Sequence, residues 1–136
     1  MYKKNIFNFV FILGIFLIDR LSKIWIIKIF KESEKSDIFI SEFLSLNLIW
    51  NQGIAFGLFS FSEQVYYNIL TTIISIITII IFIIIVKSKG LEKYSFMIIF
   101  GGSLGNIFDR LFYSAVPDFI DFHYENFHWF IFNVAD

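Results

Sequence analysis

Two acidic residues near the end of the sequence could form a catalytic pair. Asp118 follows the one Pro of the chain, and Asp136 lies three residues after Asn133. Because Pro restricts the residue before it to extended geometry, a helix should end ahead of Asp118, which then lies on an irregular segment. Two carboxylates in a pocket of low dielectric constant cannot both ionise cheaply, so they share a proton. This is the chemistry of an aspartic peptidase, in which one carboxylate activates water and the other protonates the peptide oxygen.

The motif GNIFDR, residues 105–110, holds three more polar side chains. Asn106 lies three residues before Asp109 and four before Arg110, so a helix presents all three on one face. The glycines of GGSLG, residues 101–105, allow membrane helices to approach closely. Two interpretations stay open: a helix crossing point with a satisfied polar cluster, or polar support for a functional pocket. Polar groups in lipid are costly, and they normally mark a function or a partner.

Two shorter polar motifs lie earlier in the chain. Asp19 and Lys23 are four residues apart, so on a helix they share a face. They either neutralise each other or hold another polar group inside the bundle. Arg20, next to this pair, is expected to extend to the membrane interface. In the motif NQG, Asn51 and Gly53 favour a tight turn and a close approach of the backbone to another group.

The composition is typical of an integral membrane protein. Of the 136 residues, 57% are hydrophobic and 20 are Phe, and the net charge is −1. No basic stripe runs along any segment, which excludes a nucleic-acid-binding protein. The chain has no Cys, which excludes disulfides, thiolate catalysis and a Cys-based zinc site. The length fits a single membrane domain, residues 1–136.

Four apolar runs predict four transmembrane helices. The first covers residues 5–30, and charged residues stand where a signal peptide has its cleavage site, which favours a retained anchor. The second, residues 65–86, has no charge and is long enough to cross the hydrocarbon core. The third covers residues 94–104 and continues into GNIFDR. The fourth, residues 127–136, would place Asn133 and Asp136 on one helical face.

A small β-sheet is predicted between the first two helices, because residues 43–47 alternate apolar and polar side chains. Short cytoplasmic loops collect Lys and Arg. Lys residues precede the first helix and fill the connector 87–93, so both should be cytoplasmic, with residues 31–63 and the stretch after Arg110 outside. The predicted fold class is an all-α membrane protein: a bundle of four transmembrane helices with a small extracytoplasmic β-sheet between helices 1 and 2.

Five motifs resemble those of the lipoprotein signal peptidases, the type II signal peptidases of bacterial membranes. In the family's order and with similar spacing they are DRLSK (19–23), NQGIAF (51–56), GGSLGNIFDR (101–110), VPDFIDF (116–122) and FNVAD (132–136). The resemblance implies an aspartic endopeptidase of the bacterial cytoplasmic (inner) membrane, with its active site toward the extracytoplasmic side. It also implies the substrate, a prolipoprotein with a diacylglyceryl-modified Cys, which the enzyme cuts just before that Cys.

The same resemblance implies roles for individual residues. Asp118 and Asp136 match the catalytic pair. The residues expected to support this pair or to bind substrate are Asn51, Gly53, Asn106, Arg110, Asn133, Asp19 and Lys23. Asp109 is expected to give structural support only. The expected partners are prolipoproteins and membrane lipids, the chain is expected to be a monomer, and neither a cofactor nor a metal is expected.

The sequence departs from the family at its end. The family continues its fourth helix past the second Asp, whereas this sequence stops at Asp136. A helix begun at Phe127 would cover about 15 Å, half of a hydrocarbon core of roughly 30 Å. We therefore expect an incomplete version of the family's chain. We also expect this form to be inactive or barely active, because the terminal carboxylate would add negative charge beside that of Asp136.

Two other functions compete with the peptidase. Asp121, His123, Glu125 and His128 crowd one short stretch and could bind zinc, although their spacing matches no standard helical site and an exposed polar turn would look the same. A small channel or transporter component is the alternative without enzymatic activity, since charges within membrane segments also mark ion paths. The charges gather toward the outer ends of the runs, which favours a pocket at the membrane surface.

Overall fold

The computed structural model describes residues 2–33, 37–53, 64–125 and 127–136, with side chains from residue 5 onward. Three helices and four strands occupy these parts of the chain. In chain order they are α1 (Tyr2–Ser33), β1 (Ile38–Ser41), β2 (Leu44–Asn51), α2 (Gln64–Lys87), α3 (Gly90–Tyr113), β3 (Val116–Tyr124) and β4 (Phe127–Phe132). The helices form one layer of the molecule, and the strands form one sheet.

Helix α2 has the length and composition of a transmembrane span. Its 24 residues, at a rise of about 1.5 Å each, extend for about 36 Å, which exceeds a hydrocarbon core of roughly 30 Å. Its surface remains apolar where it faces outward, since Ile76, Ile79 and Ile80 each expose at least half of their area. Among the described residues, α2 is the one helix apolar enough along its length to qualify as a span. The helix predicted for residues 65–86 is confirmed.

Helix α3 packs against both other helices. Gly101 of α3 faces Ile15 of α1, and one turn later Gly105 faces Asp19, so α1 and α3 run in the same direction. Two residues separate α2 from α3, so α2 runs antiparallel to both. A Cβ at Gly105 would overlap the Asp19 carboxylate. The predicted role of the GGSLG glycines in close helix contact therefore holds at Gly101 and Gly105.

The four strands form an antiparallel sheet in the order β1-β2-β3-β4. Residue Ile49 of β2 lies opposite Asp118 of β3, and Ile120 of β3 lies opposite Phe132 of β4. The strand predicted around residues 43–47 is confirmed as part of β2. The sheet is larger than predicted, because half of its strands follow α3. The pairing of β2 with β3 places residues 44–51 and 116–124 at the same end of the molecule.

The prediction of a fourth helix beginning at Phe127 is wrong, because Phe127–Phe132 form strand β4. A short apolar run fits a buried strand as well as a helix segment, and the aromatic residues of this run suit a strand paired with β3. The helix length counted from Phe127 therefore does not apply. With a four-stranded sheet beside three helices, the described residues do not confirm an all-α, four-helix fold. Asp118 also departs from prediction, since it lies in a regular strand.

Candidate active site

The carboxylate of Asp118 is buried at the centre of the sheet, between β2 and the turn that follows β4. Only 3% of the residue is exposed. Its Oδ2 accepts a hydrogen bond of 2.8 Å from Nδ2 of Asn51, at the end of β2. Its Oδ1 accepts one of 2.7 Å from Nδ2 of Asn133. Two side-chain amides from different segments therefore fix the orientation of this carboxylate.

Asn133 also holds the second carboxylate. Its backbone N–H donates to Oδ2 of Asp136 at 3.1 Å, and its own Oδ1 accepts from the backbone N–H of Ala135 at 2.8 Å. The other oxygen of Asp136 accepts a hydrogen bond of 2.8 Å from Nδ2 of Asn106 on α3. A turn, and not the predicted helical face, thus presents Asn133 and Asp136. The result is that one Asn binds the carboxylates of both Asp118 and Asp136.

The environment of Asp118 favours its protonated form. The pKa of Asp118 is raised from 3.8 to about 6, mainly by burial and also by the negative charge of Asp136. The amide hydrogen bonds from Asn133 and Asn51 oppose this increase, because they stabilise the carboxylate. Asp136 is exposed and receives hydrogen bonds on both oxygens. The two carboxyl groups are therefore chemically unequal, which is what a division into acid and base requires.

Asn106 connects the two carboxylates to the charged residues of α1. Its Oδ1 accepts hydrogen bonds from Nζ of Lys23 at 2.8 Å and from Nδ2 of Asn133 at 3.2 Å. Both polar groups of the Asn106 amide therefore have partners, because its NH₂ group donates to Asp136. The hydrogen bonds from Lys23 and Asn133 to the Asn106 oxygen therefore orient its NH₂ group toward Asp136.

Arg110 joins α3 to the turn after β2. Its guanidinium donates to the carbonyl oxygen of Gly53 at 3.1 Å and to that of Asn106 at 3.3 Å. The backbone N–H of Gly53 donates in turn to Oδ1 of Asn51 at 2.8 Å, which orients the Asn51 amide toward Asp118. The buried positive charge also interacts with both Asp118 and Asp136. This turn is the tight backbone approach that the motif NQG predicts.

The site therefore combines a buried and an exposed carboxylate, held by amides from three segments. A model of the family described as signal peptidase (SPase) II matches residues 11–136. The chain belongs to the signal peptidase II family. Curated relatives agree with this assignment. A lipoprotein signal peptidase of Pelagibacter ubique is 49% identical over 134 residues, covering 98% of this chain and 81% of the relative. A lipoprotein signal peptidase of Anaplasma marginale is 38% identical over 136 residues, covering 98% and 78%.

Solved structures of bacterial membrane enzymes share the fold of this signal peptidase II family member. One, determined by the in meso method at 2.3 Å resolution, is 27% identical with a TM-score of 0.70, covering 95% of this chain and 77% of that chain. A second, at 1.9 Å, is 29% identical with a TM-score of 0.66, covering 95% and 82%. The chain is therefore a membrane protein, and the predicted resemblance is confirmed.

A buried charge cluster joins α1 to α3 beside the signal peptidase site. Lys23 lies 2.8 Å from the carboxylate of Asp19 and 2.7 Å from that of Asp109. The predicted Asp19–Lys23 ion pair is confirmed. Arg20 also binds Asp109, and its guanidinium lies 4.6 Å from the ring centre of Phe108. The prediction that Arg20 reaches the membrane interface is wrong, because Asp109 supplies a buried partner. The sequence did contain a signal for this contact, because Arg20 and Asp109 carry opposite charges on two different predicted helices.

A group that could bind a metal lies on the β3–β4 hairpin, apart from the two carboxylates. It consists of Asp121, His123 and His128, whose ligand atoms all lie within 4.8 Å of one another. Glu125, the fourth residue considered from the sequence, lies in the turn between the strands and is outside this group. Neither His belongs to the hydrogen-bond network of Asp118 and Asp136 described above.

Proposed function

We propose that this chain is a lipoprotein signal peptidase with Asp118 and Asp136 as its catalytic pair. It is an aspartic endopeptidase that removes signal peptides from diacylglyceryl-modified prolipoproteins by cutting before the lipidated Cys. Membership of the signal peptidase II family and the names of the curated relatives support this activity. The observation that carries the assignment of the catalytic pair is the position of Asn133, which binds both carboxylates.

The unequal environments of the two carboxyl groups support different roles for them in the reaction. Asp136 acts as the base and takes a proton from a water molecule, whose oxygen attacks the scissile carbonyl carbon. Asp118, with the raised pKa, gives its proton to the carbonyl oxygen, which yields a neutral tetrahedral diol. As the diol collapses, Asp136 returns a proton to the leaving nitrogen and the C–N bond breaks. Asp118 regains its proton from the second hydroxyl, which restores both groups.

The surrounding polar residues keep the pair in position. Asn51 and Asn133 orient Asp118, and Asn106 orients Asp136. The remaining supporting residues act through these amides: Lys23 through Asn106, Asp19 through Lys23, Gly53 through Asn51, and Arg110 through Gly53. A displacement of about 1 Å at a catalytic group can cost about a hundredfold in rate, so these contacts matter for catalysis.

We place the enzyme in the bacterial cytoplasmic membrane as a single, multi-pass domain, with α1, α2 and α3 as spans. The distribution of Lys residues favours a cytoplasmic connector between α2 and α3, so the sheet and the catalytic pair lie at the extracytoplasmic side. An apolar groove between α1 and α3 is open toward the surrounding lipid, and it suits the acyl chains of the substrate. Its lining residues are Phe9, Ile12, Leu13, Phe16, Leu104, Ile107, Phe108 and Leu111. A monomeric state stays a prediction.

Substitution of each carboxylate tests the proposal. The purified protein in detergent is incubated with a diacylglyceryl-modified prolipoprotein, and release of the signal peptide is followed by mass spectrometry. We expect Asp118→Asn and Asp136→Asn each to reduce the rate by at least about a hundredfold, the lower bound for loss of an acid or base. Glu42→Gln removes an exposed carboxylate from the β1–β2 turn and should keep the parental rate.

Thermal unfolding of each variant shows whether lost activity reflects lost folding. Cleavage retained by a folded Asp118→Asn or Asp136→Asn variant would remove that residue from the catalytic pair. The channel alternative has less support, because the charged residues of α1 and α3 bind one another. A channel would also conduct ions through both variants, whereas a peptidase would lose cleavage in both.

A further inference from the structure

The β3–β4 hairpin brings three side chains with metal-binding groups together. His123 of β3 lies directly opposite His128 of β4. Asp121 is two residues before His123, and alternate residues of a strand point to the same face. The pattern Asp-x-His followed by a cross-strand His thus collects three donors on a two-stranded ribbon. No helical spacing of ligands is needed, which is why comparison with helical zinc motifs misses this arrangement.

The distances suit a metal ion after small side-chain movements. Nδ1 of His128 lies 3.0 Å from Oδ2 of Asp121, and the two imidazole rings lie 5.2 Å apart, centre to centre. Ligand atoms about 2.1 Å from a tetrahedral zinc ion are about 3.4 Å apart, so the observed limit of 4.8 Å requires movement of about 1 Å. The His128 side chain is 58% exposed and has the freedom to move.

One polar group in this cluster has no hydrogen-bond partner within the described part of the chain, and another is a buried carboxylate. The carboxylate of Asp121 is buried, with 3% of the residue exposed. Nδ1 of His123 is buried and has no hydrogen-bond partner there. A buried donor or acceptor without a partner costs about 1–3 kcal/mol, so a native structure normally satisfies it. A metal ion bound by the group would use the lone pair of this nitrogen.

We propose that Asp121, His123 and His128 form a site for a divalent transition-metal ion, with zinc as the representative ion. Two imidazoles and one carboxylate are donors that zinc, copper and nickel accept, whereas magnesium and calcium favour all-oxygen sites. The three side chains occupy three positions of a tetrahedron and leave the fourth to water. The carboxylate balances half of the double positive charge of the ion, and the two imidazoles bind it as neutral ligands.

The metal site would stabilise the β3–β4 hairpin and would take no part in peptide cleavage. Asp118 precedes Asp121 on β3, and Asn133 follows the end of β4. A metal bridge between the strands would hold these two ends of the hairpin in register. This inference does not rest on the proposed peptidase activity, so its test requires no substrate.

The test is zinc binding to the purified, tag-free protein in detergent after removal of metals with a chelator. ZnCl₂ is titrated by calorimetry, and the variants His123→Gln, His128→Gln and Asp121→Asn are compared with the parent. We expect one zinc per chain in the parent. Each variant should bind at least about tenfold more weakly, because even residues that only support metal ligands cost that much when lost. The matched control is Glu125→Gln, which removes a carboxylate from the same hairpin and should bind as the parent does.

Cobalt substitution checks the geometry independently of affinity. Co²⁺ in a site of three protein ligands should give visible absorption bands typical of tetrahedral coordination, and each of the three ligand variants should lose them. An excess of MgCl₂ should not displace zinc. Failure of the parent to bind zinc would overturn the proposal. Binding that all three ligand variants retain at the parental affinity would overturn it as well, since the ion would then lie elsewhere on the chain.

Discussion

The buried carboxylate of Asp118 should make the protein less stable as the pH rises, and Asp118→Asn should remove this dependence. Burial raises the pKa of Asp118 from 3.8 to about 6. The folded protein therefore holds this proton more tightly than the unfolded chain does. The resulting contribution to stability is fully present below pH 3.8 and is lost as the pH rises to about 6. The difference in pKa corresponds to about 3 kcal/mol, of which about 2 kcal/mol is lost between about pH 4.5 and about pH 7.5.

The substitution also has a cost that does not depend on pH. Both oxygens of Asp118 accept hydrogen bonds from side-chain amides, so the new NH₂ group of an Asn would face a donor, either Asn51 or Asn133. Neither amide can rotate without losing its other bond, to Gly53 or to Ala135. A mismatch of this kind costs about 1–3 kcal/mol at every pH. The informative quantity is therefore the change with pH in the stability difference between variant and parent.

Unfolding in detergent at about pH 4.5 and about pH 7.5 measures this quantity. We expect the variant to gain about 2 kcal/mol relative to the parent at the higher pH. Glu42→Gln replaces an exposed carboxylate and controls for the loss of one negative charge. A stability difference between Asp118→Asn and the parent that stays constant across this range would refute the reasoning, because the pKa of Asp118 would then be the same in the folded and unfolded chain.

Three further substitutions test the contacts around the site. Gly105→Ala should destabilise the protein by about 1–3 kcal/mol, because the added Cβ overlaps the Asp19 carboxylate of α1. Its control in the same thermal unfolding assay is Gly14→Ala, because a Cβ at Gly14 would have no atom within 4 Å. Asp109→Ala should cost about 3–5 kcal/mol, because it removes the carboxylate that binds the buried Arg20 and one of the two that bind Lys23. Glu32→Ala on the exposed surface should cost under about 1 kcal/mol. Asn133→Ala should lower kcat by about tenfold or more with little change in KM. It should also move the loss of stability to higher pH, because the Asn133 amide opposes protonation of Asp118 in the parent.

Each of these predictions has a clear contrary result. Equal unfolding temperatures for Gly105→Ala and Gly14→Ala would show that α1 and α3 do not approach closely. An Asp109→Ala variant as stable as the parent would show that its cationic partners find other neighbours. An increase in KM alone for Asn133→Ala would assign that residue to substrate binding and not to the orientation of the carboxylates.

Local spacing predicted the contacts that lie within one helix. The separation of four residues between Asp19 and Lys23 was sufficient to predict their ion pair, because the geometry of a single helix fixes it. The partner of Arg20 was not predictable in this way. It lies 89 residues away on α3, and its position depends on how α3 packs against α1. From the sequence alone, a charged residue such as Arg20, next to an ion pair within one helix, is predicted to lie at the surface. Its partner on another helix is needed to predict that it is buried.

The residues after Phe127 show a second limit of sequence patterns. The six residues of β4 are too few for their periodicity to separate a helix from a strand. The deciding factor is the neighbouring strand β3, which offers a free edge for pairing. Asn133 and Asp136 nevertheless lie in contact, as their spacing of three residues predicts. The sequence motif FNVAD predicted which side chains lie close together, whereas it did not predict the secondary structure that brings them there.

The ion pairs between α1 and α3 have a consequence for biogenesis. When α1 first reaches the membrane during synthesis, Asp19 is available to neutralise Lys23, but Arg20 has no counter-ion. An unpaired Arg near the middle of a helix costs about 3 kcal/mol or more on insertion. At roughly 5–20 residues per second, the ribosome needs about 4–18 s to add the 89 residues that lead to Asp109. If α1 is a transmembrane span, as proposed above, its insertion should therefore become more favourable once α3 supplies Asp109.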